Sequence, residues 1–170
     1  MILLGIGSNL ESSFGNRFTN IDLSISHLKK NKLKVLSQSS YYETPSYPNK
    51  KNPKFINVVV SISSDISFVN LVSIIIYVEE KLERKRNIKN DPRTCDIDII
   101  DFNNQVFKKK FKNLEFQVPH KSMISRNFVL YPLQEIQPYW KHPETNKDIN
   151  NLIKKLDQKY KKSILTIKKP

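Results

Sequence analysis

At 170 residues the chain is the size of one ordinary domain, long enough to bury a core without disulfides or a structural metal. It has no apolar run of eighteen or more residues, and its lone Cys95 cannot form an internal disulfide, so a membrane-spanning helix and a disulfide scaffold are both excluded. Twenty-nine Lys and Arg against sixteen Asp and Glu give a formal charge of +13; such a field attracts nucleic acid, an anionic membrane surface or a phosphorylated substrate, and does not by itself choose among them.

Met1-Ile2-Leu3-Leu4 has neither the basic region nor the cleavage site of a secretory leader. A soluble, unprocessed, cytoplasmic protein is therefore expected, with one domain over residues 1–170. Much of the positive charge lies in lysine-rich stretches such as Lys29-Lys30-Asn31-Lys32 and Lys108-Lys109-Lys110, which fit a solvated surface as well as a binding face.

The run Ile2 to Ser8, closed by Gly5 and Gly7, reads as a first strand entering a tight turn. Phe14, Phe18, Ile21, Ile25 and Leu28 then recur at helical steps and mark one face of a first helix. Leu33 to Glu43, rich in β-branched and aromatic residues, reads as a second strand. Between Lys54 and Ser63, alternation sends Ile56, Val58, Val60 and Ile62 to one face and Phe55, Asn57, Val59 and Ser61 to the other. The aliphatic face must be core, which leaves Phe55 and Asn57 side by side on the face available to a ligand.

A second helix follows Ser67, with Phe68, Val72, Ile75, Val78 and Leu82 on one side, and is read as ending in Glu83-Arg84-Lys85-Arg86, where cations suit the helix dipole. Cys95 to Phe102 is a strand, Gln105 to Gln117 a hairpin, and Phe128 to Ile136 a short helix around Pro132. Ile149, Leu152, Ile153, Leu156 and Tyr160 mark a final helix, and Ser163 to Ile167 an edge strand. The order β-α-β-β-α-β with C-terminal additions is that of a ferredoxin-like α+β core. Thr44 to Pro53 and Asn87 to Pro92 are loops, natural places for a site.

In Asp96-Ile97-Asp98-Ile99, alternation puts both acids on one face, roughly 6.5–7 Å apart at Cα, where they can share hard cations. The same pair also fits a solvated face salted by lysines. Asp101 has the opposite parity and is left out of the metal site. Arg84, Lys85, Arg86, Lys89 and Arg93 precede the acids and can neutralise a triphosphate, although no Walker A loop follows Gly5 and Gly7. Val118-Pro119-His120-Lys121 and Arg126-Asn127-Phe128 add a further cationic and aromatic group. His27 and His142 lack partners at metal-ligand spacing and read as surface residues.

These pieces, in this order, resemble the 6-hydroxymethyl-7,8-dihydropterin pyrophosphokinase family of folate biosynthesis. The markers are Leu4-Gly5-Ile6-Gly7-Ser8-Asn9-Leu10, Ser40-Tyr41-Tyr42-Glu43-Thr44-Pro45, Phe55-Ile56-Asn57, Pro92-Arg93-Thr94-Cys95-Asp96-Ile97-Asp98-Ile99, and Val118-Pro119-His120 through Arg126-Asn127-Phe128-Val129-Leu130-Tyr131-Pro132-Leu133. The resemblance implies diphosphate transfer from ATP to 6-hydroxymethyl-7,8-dihydropterin. Asp96 and Asp98 would hold two Mg²⁺ ions, and Arg84, Arg86, Arg93, His120 and Arg126 would contact ATP phosphates, with Arg84 and Arg93 among the catalytic groups. Glu79 and Ile99 would lie near the nucleoside. Phe55 and Phe128 would sandwich the pterin, Asn57 would read its polar edge, and Thr44, Pro45 and Tyr47 would complete the pocket.

The chain departs from the family pattern at Glu83 and Asp91, where glycine is common, and lacks a Trp near Lys89 or Asn90; weaker closure over the substrates is expected. A monomer without nucleic-acid or membrane partners is expected too. The alternative from another class is an RNA-binding module, which shares the βαββαβ order and a basic surface. Asp96 and Asp98 on the open face weigh against it, because they repel a phosphate backbone.

Overall fold

A computed structural model describes residues 1–63, 65–85, 91–111 and 114–169. The chain runs through β1 (Ile2–Ser8), α1 (Arg17–Lys30), β2 (Lys34–Gln38), β3 (Tyr41–Thr44), β4 (Phe55–Ser63), α2 (Phe68–Lys81), β5 (Asp96–Phe102), β6 (Phe107–Phe111) and β7 (Leu114–Val118). It continues with a 3₁₀ turn at Met123–Ser125, α3 (Asn127–Ile136), α4 (Ile149–Lys154), α5 (Gln158–Lys161) and β8 (Leu165–Ile167). The strands lie in the order β5-β1-β4-β3-β8, with β2 also on β4, and every pairing is antiparallel. This is the ferredoxin-like order, with β2 and β3 together in the role of the second strand.

Several elements differ from their sequence expectations for local reasons. The first helix starts at Arg17 rather than Phe14, because the Asn16 side chain accepts from Phe18 N and Thr19 N and so caps it. The segment from Leu33 to Glu43 is two strands, interrupted where Ser39 donates its backbone N–H to the Val59 carbonyl and accepts the Val59 N–H on its hydroxyl. α2 stops at Lys81, short of the basic run: Glu83 takes a left-handed backbone (φ 62°) and Arg84 N returns to the Glu79 carbonyl. That closure is the left-handed helix stop usually made by glycine, and it turns Arg84 off the helix axis. The final helix is broken in two, with the Asp157 carboxylate accepting from Lys159 N to begin α5.

The sheet has helices on both faces. Ile56, Val58, Val60 and Ile62 join residues of α1 and α2, including Ile21, Leu28, Leu71 and Val78, in one core, as the alternation requires. On the other face α3 and α4 cover Leu3, Val59 and Ile100 with a second core of Leu130, Leu133, Trp140, Ile149 and Leu152. Val59 is therefore buried rather than open, and only the Phe55–Asn57 end of that face remains free. Glu135 ties α3 to the second-strand region, accepting from Ser40 N, Ser40 Oγ and the Tyr42 hydroxyl.

Cys95 is buried, with its Sγ 3.2 Å from the Ser24 hydroxyl. Burial pushes the thiol up to about 12, so the group is inert at neutral pH. His142 is buried against Trp140 rather than lying on the surface, while His27 is half-buried. No helix among the described residues is long and apolar enough to cross a membrane.

The second core is pinned by one polar contact: Trp140 Nε1 donates to Asp101 Oδ2 at 2.8 Å, both residues being buried. Trp140→Phe removes the donor and leaves that oxygen buried without it, which is expected to destabilise the fold by about 1–3 kcal/mol. Urea denaturation of the two proteins measures the difference, and equal midpoints would show that the contact contributes nothing.

Candidate active site

The site is laid out by the register of the central strand. Across β1, Gly7 stands opposite Asn57 of β4 and Asp96 of β5, and Gly5 opposite Val59 and Asp98. The two glycines do not turn the chain, as the sequence pattern implies; both lie inside the strand, where they leave bare backbone between the aromatic and acidic sides. A Cβ on Gly7 would lie 3.1 Å from Asn57 Oδ1 and 3.5 Å from the Phe55 ring, so the floor has no room for a side chain. Over it opens a cavity of 310 Å³ lined by Gly5, Gly7, Thr44, Pro45, Tyr47, Phe55, Asn57, Arg93, Asp96, Asp98, Arg126 and Phe128, among others. That volume and mixed lining suit a small flat organic ligand.

All six residues expected around a pterin are thus brought to one cavity. Asn57 Nδ2 donates to Thr44 Oγ1 at 3.1 Å, fixing the amide. Arg93 stacks over Phe55 at 5.2 Å and Arg126 over Phe128 at 5.5 Å, so each aromatic wall carries a cation on its ring. Asn9, buried beside them, donates its amide to Ser46 Oγ and the Pro53 carbonyl and accepts from Arg93 N at 2.7 Å. It ties the loop bearing Thr44 to the segment bearing Arg93.

A second cavity of 170 Å³ lies beyond the acids, lined by Glu79, Arg84, Asp96, Asp98, Ile99, His120 and residues of β7. Asp96 and Asp98 line both cavities and form their common border. Arg84 Nη1 reaches Asp96 Oδ1 at 2.5 Å, Arg93 Nη2 reaches Asp96 Oδ2 at 2.6 Å, and Arg126 Nη1 reaches Asp98 Oδ2 at 3.2 Å. Arg84 also pairs with the buried Glu79, which accepts the Ile97 N–H at 2.9 Å. The Arg93 Nε is buried and has no hydrogen-bond partner among the described residues.

Burial alone would raise the Asp96 carboxyl, but Arg84 and Arg93 hold it below the ordinary carboxylate range. Burial and the neighbouring Asp96 charge push Asp98 the other way. Burial also lowers the His120 imidazole, against the pull of Asp98. Of the two acids Asp98 is the less compensated by ion pairs among the described residues, with one arginine against the two on Asp96. Among the described residues no three His, Cys, Asp or Glu side chains cluster as a metal cage. Two carboxylates on one face fit Mg²⁺, which keeps several waters and is commonly held by one or two carboxylates together with substrate phosphates.

Asp101 is outside the site, though not by parity. The register shift between Leu3 and Leu4 brings Asp101 opposite Leu3, on the second-core face, where Trp140 and the Asn104 N–H occupy it. Ile99 is buried with the α1/α2 core and only borders the second cavity. Arg86, Lys89 and Asn90 lie outside the described residues. Sequence reading missed the role of Gly5 and Gly7, whose spacing within a strand was the available signal, and missed Tyr160, which also lines the larger cavity.

The sequence matches the profile of the family described as 7,8-dihydro-6-hydroxymethylpterin-pyrophosphokinase over residues 3–138. A 2-amino-4-hydroxy-6-hydroxymethyldihydropteridine pyrophosphokinase of Campylobacter jejuni is 33% identical over 133 residues, 78% of this chain and 80% of the relative. The folic acid synthesis protein FOL1 of Dictyostelium discoideum is 32% identical across 89% of this chain, but the match spans only 22% of that longer protein; for the corresponding protein of Schizosaccharomyces pombe the share is 20%. In structure, a Plasmodium falciparum HPPK-DHPS triple mutant with pteroate aligns over 98% of this chain and 46% of its own, with a TM-score of 0.74 and 16% identity, a likeness of fold.

The charge imbalance at Asp98 has a measurable consequence. In the absence of divalent cations, Asp98→Asn relieves like-charge repulsion on Asp96 and is expected to raise the melting temperature by about 2–4 °C, the shift that ~1 kcal/mol gives a chain of this size. Calorimetry in EDTA tests this; a lower melting temperature in the variant would show that Asp98 is instead a net stabilising partner of Arg126.

Proposed function

Because the chain belongs to the 7,8-dihydro-6-hydroxymethylpterin-pyrophosphokinase family, we propose that it transfers diphosphate from ATP to the hydroxymethyl group of 6-hydroxymethyl-7,8-dihydropterin, a step of folate biosynthesis. The observation that carries this reading is the shared border: one pair of carboxylates lines both an aromatic, amide-bearing cavity and a second, cation-flanked one. Two substrates that must react need such a meeting point, with the reacting atoms held close and oriented.

The pterin lies between Phe55 and Phe128, with Asn57 on its polar edge and Thr44, Pro45 and Tyr47 closing the pocket. ATP occupies the second cavity, with Glu79 and Ile99 near its nucleoside and Arg84 and His120 around its phosphates, which extend across the acids to Arg93 and Arg126 on the wall of the larger cavity; Arg86 joins them by resemblance. Asp96 and Asp98 hold two Mg²⁺ ions, which when bound supply neutralising charge to the triphosphate. The hydroxymethyl oxygen attacks the β-phosphorus as the bond to the α,β-bridging oxygen breaks, leaving AMP and the pterin diphosphate. Attack at β rather than γ comes from the family resemblance. Arg84 and Arg93, anchored on Asp96, are held where negative charge develops on the transferring group, so little reorganisation is needed.

We take residues 1–170 to act as one catalytic domain, monomeric and cytoplasmic. The RNA-binding alternative draws no support, since the family matched and the relatives are pterin pyrophosphokinases and folic acid synthesis proteins.

The assay is AMP release dependent on both Mg²⁺ and hydroxymethyldihydropterin. Asp96→Ala is expected to lower turnover by at least about 10²-fold, the scale on which one electrostatic group at a developing charge acts; full activity in that variant would sink the assignment of this site. Gly7→Val should place its methyl groups against Phe55 and Asn57 and abolish pterin binding, while a non-hydrolysable ATP analogue still binds. Unaltered pterin titration in that variant would mean the ligand does not use the glycine floor.

A further inference from the structure

The family match ends at residue 138, yet one wall of the larger cavity comes from beyond it. Tyr160, on the four-residue α5, lines that cavity together with Phe128 and Asn127. Its position is fixed from two sides. Asn127, buried beneath, donates its amide to the Tyr160 carbonyl at 2.6 Å and to Ser163 Oγ at 3.2 Å, while its Oδ1 accepts the Phe128 N–H at 2.8 Å. One amide thus joins α5 to the residue that carries the aromatic wall.

On the other side, β8 pairs with β3, setting Leu165 opposite Glu43, the residue before Thr44. The segment from α5 to β8 is thereby fastened to both α3 and β3, the two elements that flank the cavity. Lys159 Nζ stands 5.1 Å from the Tyr160 ring centroid, and the Tyr160 hydroxyl makes no hydrogen bond among the described residues. What Tyr160 offers a ligand is therefore its ring, held by backbone contacts rather than by its own polar tip.

We propose that Tyr160 is a specificity-determining wall of the pterin pocket, and that it limits the size of pterin the cavity admits. This rests on the reading of that cavity as the pterin site. A residue outside the stretch shared with the family profile is free to differ from relatives without disturbing the common machinery, so the pocket's tolerance for substituents on the pterin is set here by the C-terminal segment.

The test is isothermal titration of the full chain, with Mg²⁺ and a non-hydrolysable ATP analogue present, against 6-hydroxymethylpterin and against a pterin bearing a bulky ring substituent. Tyr160→Ala is expected to weaken the small pterin about 3–10-fold, the loss of one aromatic contact, and to improve binding of the bulky one, with affinity for the ATP analogue unchanged. Tyr160→Phe should recover the small-pterin affinity relative to the alanine variant, and Tyr160→Trp should exclude the bulky pterin more strongly than the unmodified chain. If Tyr160→Ala does not fold, the Trp and Phe variants carry the same comparison. Equal affinities for both pterins across all variants, or a parallel loss of ATP-analogue binding, would overturn the proposal while leaving the pterin reading intact. Failure of the unmodified chain to bind pterin at all would overturn the underlying reading and this one with it.

Discussion

The arrangement depends on the central strand running as bare backbone between two loaded neighbours. Gly5 and Gly7 of β1 stand in register with Val59 and Asn57 on one side and with Asp98 and Asp96 on the other. A side chain at Gly7 would rise against Asn57 and the Phe55 ring, beside Asp96. With none there, a ligand resting on Phe55 and Asn57 can extend across β1 to the carboxylates without leaving the sheet surface. The strand holds two glycines in its interior despite their weak strand preference, as expected where another molecule must approach the backbone closely.

Around that floor, the elements are cross-linked by two buried amides, Asn9 and Asn127, and by the exposed carboxylate of Glu135. Asn9 joins the loop after β3 to Arg93, Asn127 joins α3 to α5, and Glu135 joins α3 to Ser40 and Tyr42. Each spans long sequence separations with several hydrogen bonds, so the walls of the cavity are cross-linked to one another. The charged groups are stacked in depth: Glu79 holds Arg84, and Arg84 with Arg93 holds Asp96. Asp98 has Arg126 at 3.2 Å as its ion-pair partner among the described residues, and burial with the neighbouring Asp96 charge outweighs the pull of His120, Arg126 and Arg93.

Those parts of the site governed by a period of two were legible in the sequence. Alternation placed Phe55 and Asn57 on the open face and Asp96 with Asp98 on one side of their strand, because both stretches stay regular through those residues. It failed where regularity fails. The β5 irregularity opposite Leu3 reverses the facing of Asp101, and no local pattern announces it. Gly5 and Gly7 read as turn punctuation because glycine in a strand and glycine ending one look alike without the neighbouring strands. The apolar spacing of the final helix persists past Asp157 to Tyr160, whereas one helix ends at Lys154 and the cap at Asp157 begins another. Tyr160 itself carried no signal, since its contact with the cavity depends on Asn127, more than thirty positions earlier.

At the end of α2, Glu83 occupies backbone that favours glycine (φ 62°) and offsets the strain by accepting two hydrogen bonds from Ser13, through its N–H at 3.0 Å and its hydroxyl at 2.6 Å. The two positions are therefore coupled in their tolerance of change. With a serine at 13 a glutamate at 83 is supported, whereas with a residue lacking the hydroxyl the same glutamate keeps the strain and loses half of its compensation. Substitutions at these sites should show epistasis: a change at 83 to glycine relieves the backbone strain but releases Ser13, so its net effect depends on which residue stands at 13.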